Sequence, residues 1–320
     1  MHIEFVNPLT QAALIASDSG LMENGELIFP FKNGACRIVK DDNYTENFGF
    51  QWNRFVETQI DKSSDLDISK KRFFAETGWD KEDLYGKNVL EVGSGAGRFS
   101  QIVLDFTKAD LYSVDYSNAV EANFKNNGSN PRLHLFQASI YELPFAKNQF
   151  DKVFCIGVLQ HTPDVEKSVK ALVEMVKPGG ELVVDFYPYK GWWTKVQAKY
   201  FLRPFTKKMS HEKLYKKIDS SIDRLIKTYR FFSKIGLKNM NRFLPICDID
   251  GTLPRDLPYK QLRDLCVLDT FDMFSPQYDQ PQKLSAITNY FKKYGMENVL
   301  GSEIKYDNCK ASVVKGTRSF

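Results

Sequence analysis

The chain has 320 residues, 42% of them hydrophobic and 26% charged, with a net charge of +4. That composition allows a normal core, in one large domain with additions or in two domains, and the charge is too mild to point to nucleic acid. Five scattered cysteines without a C-x-x-C pair argue against a disulfide framework or a zinc site; with no leader pattern and no run of 18 apolar residues, a cytoplasmic protein is expected.

Residues 1–65 are irregular and rich in Asn, Asp, Gly and aromatics, which predicts short strands and turns. From residue 86 strands and helices alternate. Strands are predicted over 88–92, 110–115, 132–137, 151–156 and 181–187, and helices over 97–106, 118–126 and 164–176. Lys177-Pro178-Gly179-Gly180 is a helix stop. Such alternation predicts an α/β fold, a parallel sheet with helices on both faces. Ligands bind such sheets at the carboxyl ends of the strands.

The alternation breaks near residue 189. Residues 190–245 read as long basic helices with interleaved aromatics. Residues 246–281 carry many Asp and Pro and are predicted to be mostly loop. A helix near 282–294 and strands near 297–306 and 310–316 resume the sheet. The expected organisation is an extension over 1–65, a core over 66–189, an insertion over 190–281 that covers the site, and a closing segment over 282–320.

The most informative stretch is Asn-Val-Leu-Glu-Val-Gly-Ser-Gly-Ala-Gly-Arg at 88–98. Val89, Leu90 and Val92 make a buried strand. Gly93, Gly95 and Gly97 turn the chain into a helix, a geometry that brings backbone N–H groups against a ligand. Glu91, just before the glycines, suits a ligand with an ammonium group better than a pyrophosphate. Asp115 ends the next strand, where an acid accepts from both hydroxyls of a ribose.

Five motifs in order over about 86–188 resemble the class I S-adenosylmethionine (SAM)-dependent methyltransferases. They are Val-Leu-Glu-Val-Gly-Ser-Gly-Ala-Gly-Arg, Val-Asp-Tyr-Ser, Leu-Pro-Phe-Ala-Lys-Asn-Gln-Phe-Asp-Lys-Val, Gly-Val-Leu-Gln-His-Thr-Pro-Asp and Val-Lys-Pro-Gly-Gly-Glu-Leu. The resemblance implies a Rossmann-like, doubly wound, seven-stranded sheet. It implies that Gly93, Ser94, Gly95 and Gly97 pack against the methionine part of SAM and that Glu91 orders its amino group. Asp115 would hold the ribose and Tyr116 flank the adenine, with Ser139 and Ile140 at the adenine edge and Ile156 lining the cofactor. The family often has Asp where this chain has Ser139. Arg72, before the first core strand, would reach the SAM carboxylate; a solvated helix face is the competing reading.

Residues 25–60 resemble the lead-in of a bacterial methyltransferase group that often begins with a zinc-ribbon-like segment. Here the metal cysteines are absent, Phe29 stands where one would be expected, and no metal is expected. The same group carries a stretch like Leu268–Gln282, and many members act in making surface polysaccharides or other small-molecule conjugates, an association of context and not of chemistry. Tyr44, Gln51, Trp52, Arg54, Asp272 and Tyr278 combine rings, an amide, a cation and a carboxylate, groups suited to a sugar-like substrate. Trp52 equally suits anchoring the extension to the sheet.

His161 follows the fourth core strand, on the loop that faces the transferred methyl in this fold, and is the candidate base; the competing reading has it packing that loop. The insertion, with Trp192, Trp193, Phe201, Phe205 and several lysines, fits a lid or homodimer face. It also fits contact with a membrane surface, which would suit a lipid-linked substrate. A non-catalytic SAM-binding subunit is the remaining alternative.

Overall fold

A computed structural model describes residues 3–39, 43–64, 67–307 and 309–320. The chain divides into two units. The first comprises Met1–Pro188, Tyr278–Ile304 and Ala311–Phe320; the second comprises Tyr189–Gln277 and Lys305–Lys310. The expected boundary at 65/66 falls outside the described residues.

The first unit is built on one sheet. Its N-terminal strands are β1 (Phe5–Val6), β2 (Ala13–Ser17), β3 (Gly20–Glu23), β4 (Glu26–Lys32) and β5 (Ala35–Arg37). Helices α1 (Glu46–Arg54) and α2 (Ile68–Thr77) follow. Then come β6 (Asn88–Val92), α3 (Arg98–Phe106), β7 (Asp110–Asp115), α4 (Val120–Asn127), β8 (Leu133–Gln137), β9 (Phe150–Cys155), α5 (Val165–Met175) and β10 (Val176–Phe186). The order β8-β7-β6-β9-β10 is parallel throughout and extends by antiparallel β12 (Cys309–Arg318) and then β11 (Met296–Tyr306). These seven strands are the expected doubly wound sheet.

The sheet is nevertheless larger than seven strands. Strand β5 pairs in parallel with β8, Cys36 opposite Phe136, and β4 to β1 continue outward as an antiparallel meander. The extension hides the sheet edge that β8 would otherwise expose.

Side-chain alternation sorts β6 between two layers. Val89 packs with Phe99, Ile102 and Val103 of α3. Leu90 and Val92 face the opposite layer with Val165, Val169 and Leu172 of α5. Glu91 shares the α3 side with Val89. Helix α5 starts where Asp164 accepts from the Lys167 N–H at 3.0 Å, an N-cap bond.

The second unit holds α6 (Ala198–Thr206), α7 (His211–Lys234) and α8 (Tyr259–Phe274). The 16-residue α8 corrects the expectation that 246–281 is mostly loop. Leu262, Leu265, Cys266, Leu268, Phe271 and Phe274 are buried along it, and tertiary packing of that apolar content outweighs its interspersed Asp residues. Helix α9 (Leu284–Lys293) returns the chain to the first unit.

Candidate active site

The direction of strand order reverses between β6 and β9, so the crevice at their carboxyl ends is where the fold places a ligand. The glycine turn after β6 borders it. Gly93, Gly95 and Gly97 take φ of 91°, 53° and 83°. A Cβ on Gly95 would lie 3.0 Å from the Trp52 ring, so Trp52 packs directly on the turn and anchors α1 there. A Cβ on Gly97 would lie 2.1 Å from Asn123 Oδ1. Gly97→Ala is therefore expected to cost about 2 kcal/mol or more in urea unfolding, combining left-handed strain with the clash. A loss of only a few tenths would mean that the turn relaxes around the methyl.

Four N–H groups of this turn are used inside the protein, which corrects the expectation of bare donors for Gly93, Ser94, Gly95 and Gly97. Gly93 and Ser94 donate to Val114 O at 2.7 and 3.2 Å, and Gly97 donates to Ser94 O at 2.9 Å. Gly95 donates to Asp115 Oδ2 at 2.9 Å. The tip of β7 takes these donors because it lies alongside the turn. A pyrophosphate loop must point such donors outward. This turn does not, so it suits the cationic end of a ligand. The buried Ser94 hydroxyl has no hydrogen-bond partner in the protein and is available to a ligand.

Asp115 also accepts from the Ser117 N–H at 2.8 Å and hydroxyl at 2.7 Å. Burial raises its pKa, opposed by these bonds. Glu91 lies on the α3 side of the sheet. Its Oε2 accepts from Ser113 at 2.7 Å and from Ser100, Asn123 bridges both serines, and its buried Oε1 has no hydrogen-bond partner in the protein. It therefore supports the turn from beneath.

Burial pushes the Glu91 carboxyl from the usual 4.5 up to about 7. The folded chain thus holds this proton more tightly than the unfolded chain. The resulting stability is complete below the unfolded value and is lost as pH rises through about 7. Glu91→Gln keeps the polar contacts and removes the titration. Wild type is expected to lose about 3 kcal/mol relative to this variant between pH 4 and 8. Parallel stability curves in urea would contradict that.

Arg72 on α2 is held by two carboxylates, Glu76 Oε1 and Asp185 Oδ2, each at 2.7 Å. Asp185, at the end of β10, also accepts from the Gly157 N–H after β9. The solvated-face reading of Arg72 is thereby corrected, because this ion cluster draws its head against the strand ends. Burial raises the Glu76 carboxyl despite Arg72.

A group of rings gathers around Tyr44 and His161. Tyr44 lies 5.1 Å from Tyr116 and 5.3 Å from Tyr278, centroid to centroid. His161 lies 5.2 Å from Phe48 and 5.6 Å from Tyr187. His161 Nδ1 is 3.1 Å from Tyr278 O. A carbonyl only accepts, so this contact assigns the proton to Nδ1 and leaves Nε2 as the basic nitrogen. Gln51 on α1 and Gln160 beside His161 are fully buried, and neither side-chain amide has a hydrogen-bond partner in the protein. Burial raises the Tyr44 phenol, which keeps it protonated.

The remaining candidates are more dispersed. Ile140 and Ile156 are core residues on opposite faces of the sheet, and Ser139 Oγ accepts from the Tyr141 N–H at 3.2 Å. Arg54 is exposed, its guanidinium 5.9 Å from the Phe50 ring centroid. Asp272 belongs to the second unit, on α8. Sequence reasoning missed Phe48, Gln160, Asp185 and Tyr187. Asp185 was open to detection as an acid at a strand end. The rings meet only through long-range packing.

Residues 90–184 match the family described as methyltransferase domain. Residues 90–184 are thus a methyltransferase domain. The tRNA U34 carboxymethyltransferase of Campylobacter curvus is 31% identical over 105 residues, 32% of this chain and 35% of that protein. The ubiquinone/menaquinone biosynthesis C-methyltransferase of Vibrio campbellii is 32% identical over 105 residues, 31% of this chain and 40% of that protein. The matches therefore span well under half of those relatives. A crystal structure of magnesium protoporphyrin IX methyltransferase from Synechocystis PCC 6803 with bound SAH aligns over 86% of this chain and 96% of its own, at 14% identity and a TM-score of 0.47. The matched domain carries the glycine turn, Asp115 and His161 but neither α1 nor Tyr278.

Proposed function

We propose that the whole chain is a SAM-dependent methyltransferase acting on a hydroxyl of a sugar-like small metabolite. One observation carries the acceptor class: the buried, unpartnered amides of Gln51, one turn along α1 from Phe48, and of Gln160, next to His161 in the chain. An amide both donates and accepts, as a hydroxyl does, and flat rings cover the apolar faces of a sugar.

SAM, when bound, supplies a methyl on a sulfonium for in-line displacement. The chain's own groups do the rest. The turn and Ser94 would hold the ammonium end of SAM and Arg72 its carboxylate. Asp115 would accept from the ribose, and Tyr116, Ser139, Ile140 and Ile156 would line the adenosine part. Trp52 and Tyr44 close the crevice to water. His161 Nε2 takes the hydroxyl proton while Tyr278 O fixes the ring.

Calorimetry with S-adenosylhomocysteine (SAH), followed by a methyl-transfer screen of glycosides, nucleotide sugars and amines, tests this reading. Binding at micromolar SAH and turnover of a polyhydroxylated acceptor are expected. Absence of SAH binding overturns the cofactor assignment. Turnover confined to amines overturns the acceptor class.

A further inference from the structure

The second unit has a charge and surface unlike the rest of the chain. Residues 189–277 hold 18 Lys and Arg against 9 Asp and Glu, a net of +9, whereas the whole chain carries only +4. Between Asp185 and Glu212 there is no acid at all, yet six Lys and Arg occur.

Helix α6 in this stretch is inside out. It buries Ala198, Lys199 and Arg203 and exposes Phe201, Leu202 and Phe205, with Phe201 at 61% and Phe205 at 71%. The arrangement is fixed. Arg203 donates to Met273 O at 3.1 Å and to Pro276 O at 2.8 Å, satisfying carbonyls at the end of α8. Thr206 adds a bond to Phe274 O at 3.1 Å. An isolated water-facing helix orients its stripe the other way.

The preceding turn extends the apolar surface. Trp192 and Trp193 stack at 4.1 Å, with Trp192 65% exposed. Arg242 donates to Val196 O at 2.8 Å and Trp193 O at 2.5 Å, which joins this turn to residues 238–243. Met240 and Phe243 there are exposed as well. Lys190, Lys195, Lys207 and Lys208 are exposed at the flanks.

We propose that this face of the second unit docks on an anionic lipid surface, with Trp192, Trp193, Phe201, Leu202 and Phe205 entering the headgroup boundary and the flanking lysines contacting lipid phosphates. Large exposed apolar side chains rimmed by lysines are what an interfacial segment requires. Charge complementarity selects this occupant. A second copy would bring two +9 units together, which repel. RNA would leave Leu202 without a counterpart, since an aliphatic group neither stacks on bases nor pairs with phosphate. The proposed contact is peripheral; among the described residues no helix is long and apolar enough to cross a membrane.

The test is co-sedimentation of the full chain with extruded vesicles of phosphatidylcholine, with and without an equimolar share of phosphatidylglycerol. Binding is expected only to the anionic vesicles, with a blue shift of tryptophan emission. It should fall steeply as ionic strength rises from about 0.05 to about 0.5 M. Trp192→Ser with Phe205→Ser, and separately Lys207→Glu with Lys208→Glu, should each lower the partition coefficient about tenfold or more. Circular dichroism and SAH calorimetry on the same variants show that they fold, and keep this outcome separate from the fate of the methyltransferase reading. Binding that ignores lipid charge and both variants overturns the proposal. So do absence of vesicle binding by folded protein, preferential binding of RNA, and a concentration-dependent dimer that buries the tryptophans.

Discussion

Replacing His161 by alanine is expected to lower kcat by about 10²–10⁴-fold, the usual worth of a positioned general base. KM and SAH affinity should change far less. Tyr44, Phe48, Tyr187 and Tyr278 still line the site, and His161 lies outside the glycine turn. A purely structural His161 would also harm the enzyme, because its Nδ1 ties the 159–161 turn to Tyr278 O. His161→Asn separates the two roles. The Asn amide can donate to Tyr278 O from about where Nδ1 stands, but it offers no basic nitrogen. A base predicts that Asn is as slow as Ala; a structural tie predicts that Asn restores the rate. The measurement is initial-rate methyl transfer with the acceptor found by the screen.

What the sequence made legible follows from how local each signal is. Val89–Val92, the glycine turn and Asp115 lie within 27 residues, and their roles follow from strand period, positive φ and position at a strand tip. The core strands and helices accordingly stand within a few residues of their expected places. The enlarged sheet was not legible, because β5 meets β8 across about 100 residues and nothing local to Cys36 or Phe136 specifies that register. Helix α8 was hidden by its Asp residues, although its apolar positions are the ones that pack. The glycine turn itself was only half legible. Its sequence predicts the bend, but its donors are taken by Val114 and Asp115, and only the three-dimensional neighbourhood of β7 decides that.

The same neighbourhood makes Asp115 the residue whose loss should most affect the cofactor. Its two oxygens already accept three hydrogen bonds from Gly95 and Ser117, so it fixes the turn as well as facing the crevice. Asp115→Ala removes these charge-assisted bonds together with those expected from the ribose. At about 1.5–3 kcal/mol for a hydrogen bond to a charged group, the SAH dissociation constant should rise about 100-fold or more. Asp115→Asn keeps one acceptor oxygen and should lose about tenfold. Affinity of the wild type should also weaken as pH falls, because burial raises the Asp115 carboxyl and the protonated form accepts less well. That trend should be absent in Asp115→Asn. Calorimetry across pH with both variants checks each step, and the melting temperature of the ligand-free proteins reports how much of the change lies in the turn alone. Undiminished SAH binding by a folded Asp115→Ala would remove Asp115 from the ribose and place the cofactor elsewhere along the strand ends.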